Sequence, residues 1–119
     1  MIYHIAGKDI IKGIISTGYY KPEGLINEGF VHCSTKEQVI TVANRFYSDQ
    51  NDLILLEIDD VKLKPSVVYE NLEGGSELFP HVYGPIPIRA ITSIAMLLKE
   101  MNGFSFPQDW TSIESIFTW

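Results

Sequence analysis

The chain has 119 residues, an apolar fraction of 45% and a formal net charge of −6. This length suits one domain with a hydrophobic core, and the apolar content excludes a disordered chain. No apolar run approaches the roughly 20 residues of a membrane helix, and the scattered Lys and Arg residues form no basic stripe for nucleic acid. With Cys33 as its single cysteine, the chain is expected to be one cytoplasmic domain over residues 1–119, without a disulfide, membrane segment or nucleic-acid partner.

The first third of the chain predicts short elements separated by glycines. Residues 2–5 predict a first strand, and Asp9 is expected to cap a short amphipathic helix that ends at Gly18. Residues 19–27 contain a proline and a glycine and predict a loop. Residues 29–33 then predict a second strand.

The middle of the chain holds the clearest local signals. Residues 34–37 fit a capping box, in which Ser34 is the cap and Glu37 reaches back, and helical spacing of apolar residues predicts a helix over 35–47. After a polar turn, residues 53–58 form an apolar run, which predicts a buried central strand.

The second half predicts further strands and one helix. Residues 67–70 predict a strand, and residues 79–87, with three prolines and a glycine, predict an extended, irregular segment. Residues 91–98 predict a strand because Ile91, Thr92 and Ile94 are β-branched, with a helix as the alternative. In the apolar tail, residues 109–117 predict a helix capped by Asp109. Together these elements predict an α+β fold.

Three histidines are the candidate catalytic residues: His4 in the first strand, His32 at the end of the second, and His81 in the proline-rich segment. Histidine titrates near neutrality, so it serves as an acid, a base or a hydrogen-bond donor. Prolines disfavour a central strand, so His81 is expected at an edge or rim. The three rings are predicted to share one pocket, with no centre more than about 12 Å from the others. His4 has a structural alternative as a half-buried strand residue, and His81 has one as a brace of the proline-rich loop.

Ligand binding at such a pocket is expected to weaken below about pH 6, where imidazoles charge. An anionic ligand would reverse that sign. His32, Ser34 and the first turn of the next helix offer a candidate anion cradle, because a helix N-terminus has free N–H groups. Ser34 also has a complete explanation as a helix cap.

Other polar residues carry weaker signals. Glu57 and Glu70 are each either a general acid or base or a solvent-facing strand residue. Asn44 and Arg45 are expected on a solvated helix edge, and Cys33 is expected to be a small buried residue. A zinc-dependent hydrolase is the remaining alternative for the histidines, but their spacing lacks any zinc signature, so no metal site is predicted.

Several sequence blocks occur in an order that resembles the family called domain of unknown function 952, over nearly the whole chain. The blocks from Glu28 and from Phe79 are the specific ones. The features are His4 and the segments Tyr19–Pro22, Glu28–Ser34, Ala43–Phe46 and Phe79–Pro85.

That family looks like a distant member of the ADP-ribosyltransferase-like superfamily. The resemblance implies two small, roughly perpendicular sheets, packed with short helices, and NAD in the cleft between them. It implies that His4 holds the nicotinamide ribose and that the block from His32 to Ser34 lies near the nicotinamide ring. Many members place a catalytic Glu on a later strand, where this chain offers His81 and Tyr83.

The sequence therefore predicts a protein that binds a small molecule, with NAD or a related nucleotide as the candidate cofactor. An ADP-ribosyl or related glycosyl transferase activity is left open, as are the substrate and the oligomeric state. The alternative is a non-enzymatic protein-interaction module that uses the aromatic loops around 19–20 and 79–83. The candidate catalytic residues are His4, His32 and His81, and the candidate cofactor-binding residues are His4, Ser34, Tyr20 and Tyr83.

Overall fold

The computed structural model of the chain describes residues 1–63, 66–72 and 74–116. The described part is an α+β fold of small antiparallel sheets and few helices, as the sequence predicts. None of its helices is long and apolar enough to cross a membrane. The strands are β1 Ile2–Gly7, β2 Tyr19–Tyr20, β3 Val31–His32, β4 Leu53–Ile58, β5 Val67–Glu70, β6 Phe79–Val82, β7 Ile86–Pro87, β8 Ile91–Leu97, β9 Lys99–Glu100, β10 Gly103–Phe104 and β11 Thr111–Ser112. The α-helices are α1 Ile11–Thr17, α2 Glu23–Glu28, α3 Lys36–Phe46 and α4 Ile113–Ile116.

The four-stranded sheet has the order β1-β4-β8-β11, so the apolar run in β4 lies at its centre as predicted. Leu55 and Leu56, which point to opposite faces, are both fully buried. An uninterrupted apolar run is stable there because both faces of the sheet are covered. The predicted strand at 91–98 is confirmed as β8, and the alternative helix is wrong.

Different elements cover the two faces of this sheet. On one face, Ile2 and Leu56 pack with Val31 and Val82 from the three-stranded sheet β3-β6-β5. On the other face, Tyr3 and its neighbours pack against α3 and against aromatic residues of the tail. The alternation of side chains along β1 therefore places His4 on the face that meets the three-stranded sheet.

A backbone bridge joins the two sheets, between Tyr3 of β1 and Ser34, which lies two residues after the end of β3. The N–H of Tyr3 donates to the carbonyl of Ser34 at 2.8 Å, and the N–H of Ser34 donates back to the carbonyl of Tyr3 at 2.8 Å. Ser34 is therefore still in extended backbone. The capping box of α3 consequently lies one residue later than predicted: Thr35 is the N-cap, and Oε1 of Gln38 accepts the Thr35 N–H at 3.0 Å. The predicted roles of Ser34 and Glu37 in this box are wrong.

Three further local predictions are wrong. Asp9 makes no capping hydrogen bond, because a short 3-10 turn starts directly after Gly7; Gly18 ends α1 in a left-handed conformation, as predicted. Residues 19–27 are not a loop but contain β2 and most of α2. Asp109 does not start a helix, because the chain first pairs with β8 through β11 and α4 begins at Ile113. The end of the predicted helix, residue 117, lies outside the described residues.

The segment 79–87 contains β6, the central strand of the three-stranded sheet, so its prediction as an irregular edge segment is wrong. Pro80 is compatible with this position because β3 is only two residues long. The carbonyl of Pro80 accepts the N–H of Cys33 at 3.1 Å. Because proline has no N–H, only the reciprocal hydrogen bond to the carbonyl of Cys33 is missing. That bond would lie just beyond the end of β3.

Asn44 is not on a solvated helix edge as predicted, although its neighbour Arg45 is exposed. Its side-chain oxygen accepts the N–H of Phe104 at 2.7 Å, and its nitrogen donates to the Phe104 carbonyl at 3.2 Å. Gly103, with φ of 100°, lets the chain approach, since a Cβ atom there would lie 2.4 Å from the Asn44 oxygen. Asn44 thus fixes the tail against α3.

Candidate functional site

His4 connects three parts of the fold through its ring nitrogens. Its Nδ1 lies 2.5 Å from the backbone carbonyl of His32, and its Nε2 lies 2.7 Å from the hydroxyl of Tyr20. A carbonyl oxygen only accepts, so Nδ1 carries the proton and Nε2 of the neutral ring accepts the Tyr20 O–H. β1, β2 and β3 are therefore tied together by one imidazole.

Burial keeps this imidazole neutral. Loss of hydration lowers the pKa of His4 from 6.5 to about 4; the hydrogen bond to the His32 carbonyl opposes this shift and the nearby His32 ring adds to it. His4 therefore stays neutral well below the pH of about 6 that an unperturbed imidazole suggests. Burial likewise raises the pKa of the Tyr20 hydroxyl, so this group remains protonated and donates to His4.

An open cleft of about 290 Å³ lies beside His4. We call it the His4 cleft. Its wall contains His4 and Tyr20, and the half-exposed side chain of His32 lies at its rim. The lining residues are His4, Ile5, Ala6, Gly7, Tyr20, Pro22, Gly24, Val31, His32, Tyr47, Gln50 and Leu53.

The ring of His32 also faces a second group of side chains. Its Nε2 lies 3.1 Å from Oε1 of Glu28, which is the last residue of α2 and lies four positions earlier in the sequence. Its ring centre lies 4.7 Å from that of Phe30 and 5.3 Å from that of His81, edge-on to both. His32 and His81 are direct cross-strand partners in the β3–β6 pair, which explains their proximity.

His81 is paired with a carboxylate from the neighbouring strand. Its Nδ1 lies 2.9 Å from Oε1 of Glu70 at the end of β5, and the Tyr83 hydroxyl donates to the same oxygen. These two hydrogen bonds, that of Tyr83 first, lower the pKa of Glu70, and the bond to Glu70 raises the pKa of Tyr83. His32, Glu70, His81 and Tyr83 together are called the histidine face below.

The structure therefore divides the predicted site residues into two neighbouring groups. His4 and Tyr20 lie in the His4 cleft, and His81 and Tyr83 lie on the histidine face. His32 belongs to both. Within the described residues, Ser34 is not part of the cleft lining, and its role is the backbone bridge to Tyr3.

Donors of the candidate anion cradle are partly engaged inside the protein. The N–H of Ser34 donates to Tyr3, and the N–H of Thr35 donates to the side chain of Gln38. The first turn of α3 therefore offers fewer free N–H groups than the sequence suggests.

Several other polar candidates already have structural partners. Glu57 accepts hydrogen bonds from Tyr3 at 2.9 Å and from the Thr92 hydroxyl at 2.7 Å, one on each carboxylate oxygen. Cys33 is buried as predicted, and burial raises the pKa of its thiol. In the part of the chain that the structure describes, no three His, Cys, Asp or Glu side chains are grouped to hold a metal ion.

Comparison with known proteins gives one family and one related fold. The family described as protein of unknown function (DUF952) matches residues 5–94. No curated protein matches the chain. The X-ray structure of protein CC0527 from Caulobacter crescentus is similar with a TM-score of 0.77 at 27% identity, covering 87% of this chain and 90% of that chain. Its solution NMR structure gives a TM-score of 0.73 at 28% identity, covering 87% and 89%.

Proposed function

We propose, from the premise that this chain belongs to the family of proteins of unknown function DUF952, that it binds a small nucleotide-class ligand such as NAD in the His4 cleft. Tyr20 and His32 are the proposed contact residues, and His4 is the residue that positions the Tyr20 hydroxyl. In this proposal the protein is ADP-ribosyltransferase-like, and it is one domain. Binding is the proposed function. Transfer of ADP-ribose is tested separately, by following the cleavage of NAD in the NMR titration below.

The observation that carries this proposal is the neutral, buried His4 in the wall of an open cleft. Its two hydrogen bonds leave it no free ring nitrogen, so it acts by holding the Tyr20 hydroxyl in one orientation. That hydroxyl donates to His4, and its oxygen can still accept a hydrogen bond from a ligand. A fixed polar group in a mainly apolar wall is the usual arrangement of a small-molecule site.

The size of the cleft limits which part of a ligand it takes. Its volume of about 290 Å³ is near the lower end of the range for ligand sites, about 300–1,000 Å³. We therefore propose that the cleft holds one ring and its sugar, and that the rest of a dinucleotide lies outside the cleft.

The position of the cleft supports an ADP-ribosyltransferase-like arrangement. The resemblance implies a ligand between two small sheets, with a histidine on the first strand. In this chain, His4 lies on β1 of one sheet and bonds the backbone of β3 in the other, beside the Tyr3–Ser34 bridge. A ligand in the cleft would thus contact both sheets.

An NMR titration tests the proposal. NAD and ADP-ribose are added to labelled protein, and the imidazole and backbone signals of His4 and His32 are followed. We expect saturable shifts at both residues. The proposal is abandoned if neither ligand moves either histidine. Free nicotinamide, measured in the same samples over time, reports any cleavage of NAD.

Two tyrosine variants provide a matched pair for this titration. Tyr20→Phe removes the hydroxyl that His4 holds, and Tyr19→Phe removes that of the exposed neighbour. We expect Tyr20→Phe to weaken binding about 2- to 10-fold, the worth of one neutral hydrogen bond. Tyr19→Phe should bind as the wild type does.

The alternative of a protein-interaction module is supported by only some of the aromatic side chains that the sequence suggested. Tyr20 is buried, so its predicted use as an exposed anchor is wrong. Tyr19 and Tyr83 of the predicted loops are exposed, and Val68 and Tyr69 of β5 are exposed as well. A stoichiometric partner recovered by pull-down and lost in Tyr69→Ala, together with no response to NAD, would favour this alternative.

A further inference from the structure

The Glu70–His81 pair determines which ring nitrogen of His81 carries the proton. An ionised carboxylate only accepts hydrogen bonds, so Nδ1 donates to Glu70 at 2.9 Å and Nε2 of the neutral ring keeps its lone pair. Tyr83 donates to the same oxygen, which favours the ionised form of Glu70. A carboxylate behind an imidazole is the usual device that orients a histidine for proton or ligand contacts.

Packing also fixes the plane of this ring. Phe30 is stacked on His81 with ring centres 4.2 Å apart and planes at 20°, and His32 meets it edge-on. The side chain of His81 is only 7% exposed. Its orientation is therefore set by aromatic contacts on one side and by Glu70 at Nδ1.

The other nitrogen of His81 is open. Within the described residues, Nε2 has no hydrogen-bond partner, and no fully buried side-chain nitrogen or oxygen lacks one. Nε2 must then reach solvent through the small exposed part of the side chain. Glu70 thus orients the ring through Nδ1, while Nε2 is a nearly buried acceptor with one path to solvent. Such an acceptor is suited to a ligand or water that donates a hydrogen bond.

Charge decides which donor fits. Glu28 lies beside His32 and Glu70 lies beside His81, so two carboxylates surround the histidine pair. A phosphate placed there would meet negative charge and an acceptor nitrogen, both unfavourable. A neutral hydroxyl donates to Nε2 without that repulsion.

From this geometry we propose that His81 and His32 form a second polar subsite, beside the His4 cleft, which binds a hydroxyl group of the ligand and rejects anionic groups. Glu70 is its positioning residue, acting through His81. The assignment rests on the proposed function in that the hydroxyl belongs to the ligand bound at the His4 cleft. The segment 79–84 contains no carboxylate of its own. In the folded protein, Glu70 of β5 supplies one to His81.

The first test uses protein without ligand. Long-range nitrogen–proton NMR of the imidazoles reports which nitrogen of His81 is protonated. We expect a protonated Nδ1 in the wild type and a weaker preference for it in Glu70→Gln, whose neutral amide oxygen is the poorer acceptor. Tyr83→Phe, which keeps the Glu70–His81 bond, should retain the wild-type pattern. A wild-type His81 protonated at Nε2 overturns the inference.

The second test uses probes that are simpler than NAD. D-Ribose supplies hydroxyl groups without charge, and inorganic phosphate supplies the charge. We expect millimolar ribose to shift the imidazole signals of His81 and His32, and phosphate to leave His81 unmoved. In Glu70→Gln, ribose should bind about tenfold more weakly, as expected when the charged partner of the acceptor is lost. Circular dichroism verifies that each variant is folded.

The outcomes separate this inference from the proposed function. Shifts of His4 by NAD, without any shift of His81 by ribose, leave the function standing and remove the subsite. Ribose shifts at His81 without NAD binding support the subsite and remove the nucleotide proposal. Phosphate binding at His81 as strong as that of ribose, or equal ribose binding by Glu70→Gln and the wild type, overturns the subsite.

Discussion

The two main sheets of this fold differ in what their faces carry. The four-stranded sheet buries apolar side chains on both of its faces: Leu55 and Leu56 of β4 are fully buried on opposite sides. The three-stranded sheet contributes Val31 and Val82 to the core from one face, and its other face carries His32, Glu70 and His81. Both sheets are antiparallel, so backbone pairing does not distinguish them.

This difference assigns most of the stability to the four-stranded sheet and the polar side chains of the candidate site to the three-stranded sheet. Burial of apolar area on two faces makes the four-stranded sheet the main source of folding free energy. The polar face of the smaller sheet buries less, but it orients imidazoles and carboxylates beside an open cleft. His4 lies where the two regions meet, on a strand of the first and bonded to the backbone of the second. Substitutions can test this division directly.

The largest expected effect is in the core of the four-stranded sheet. Leu56→Ala deletes a fully buried side chain and should lower the free energy of unfolding by about 2–5 kcal/mol, since it leaves a cavity. Val68→Ala, on the histidine side of β5 with the residue 41% exposed, should cost less than about 1 kcal/mol. Urea unfolding measures both. Equal losses would refute the division of roles.

A pH effect of similar order is expected where the two sheets meet. Burial lowers the pKa of His4 to about 4 in the folded protein, whereas an exposed imidazole in the unfolded chain has a pKa of 6.5. Between these values the unfolded chain binds more protons, so stability is full above about pH 6.5 and falls as the pH decreases towards 4. The loss should reach about 3 kcal/mol near pH 4.

The variant His4→Asn isolates this contribution. Its amide can still donate to the His32 carbonyl, but it does not titrate. The difference between the wild-type and variant unfolding free energies should therefore shrink as the pH falls from 6.5 to 4. Parallel curves over that range would show that burial does not shift the His4 titration.

The smallest effect concerns the start of α3. Gln38 accepts the N–H of Thr35 at 3.0 Å and donates to the carbonyl of Leu78, just before β6, at 2.8 Å. It thus links the helix on the four-stranded sheet to the smaller sheet. Gln38→Ala should cost about 1–2 kcal/mol, and Glu37→Ala, at an exposed neighbour, about 0.5 kcal/mol or less. Thermal unfolding measures both losses. A larger loss for Glu37→Ala than for Gln38→Ala would indicate that Glu37 completes the capping box, as the sequence predicted.

Local patterns predicted those elements whose burial is encoded in a continuous stretch. The apolar run at 53–58 and the helical spacing within 35–47 each predicted an element that the structure confirms as β4 and α3. The predictions failed where a contact with a distant part of the chain determines the local structure. Ser34 is held extended by Tyr3, so the helix starts one residue late. Pro80 tolerates a central strand because its neighbour β3 is short.

The candidate site shows the same division. The sequence singled out His4, His32 and His81 by residue type and setting, and pairing of β3 with β6 then placed two of them 5.3 Å apart. Glu70 was only one of two ambiguous strand carboxylates. Its place beside His81 follows from the β5–β6 register, which no local pattern contains.

By itself, the sequence determined the fold class, the buried central strand, the main helix and the residues with chemistry to offer, because these depend on composition and short-range periodicity. The tertiary structure alone decided which of those residues meet. Tertiary packing places Tyr20 of β2 against His4, and the β5–β6 register places Glu70 beside His81, over 16 and 11 positions of sequence. Burial then keeps His4 neutral. Such effects arise from contacts between distant segments, which are absent until the chain has folded.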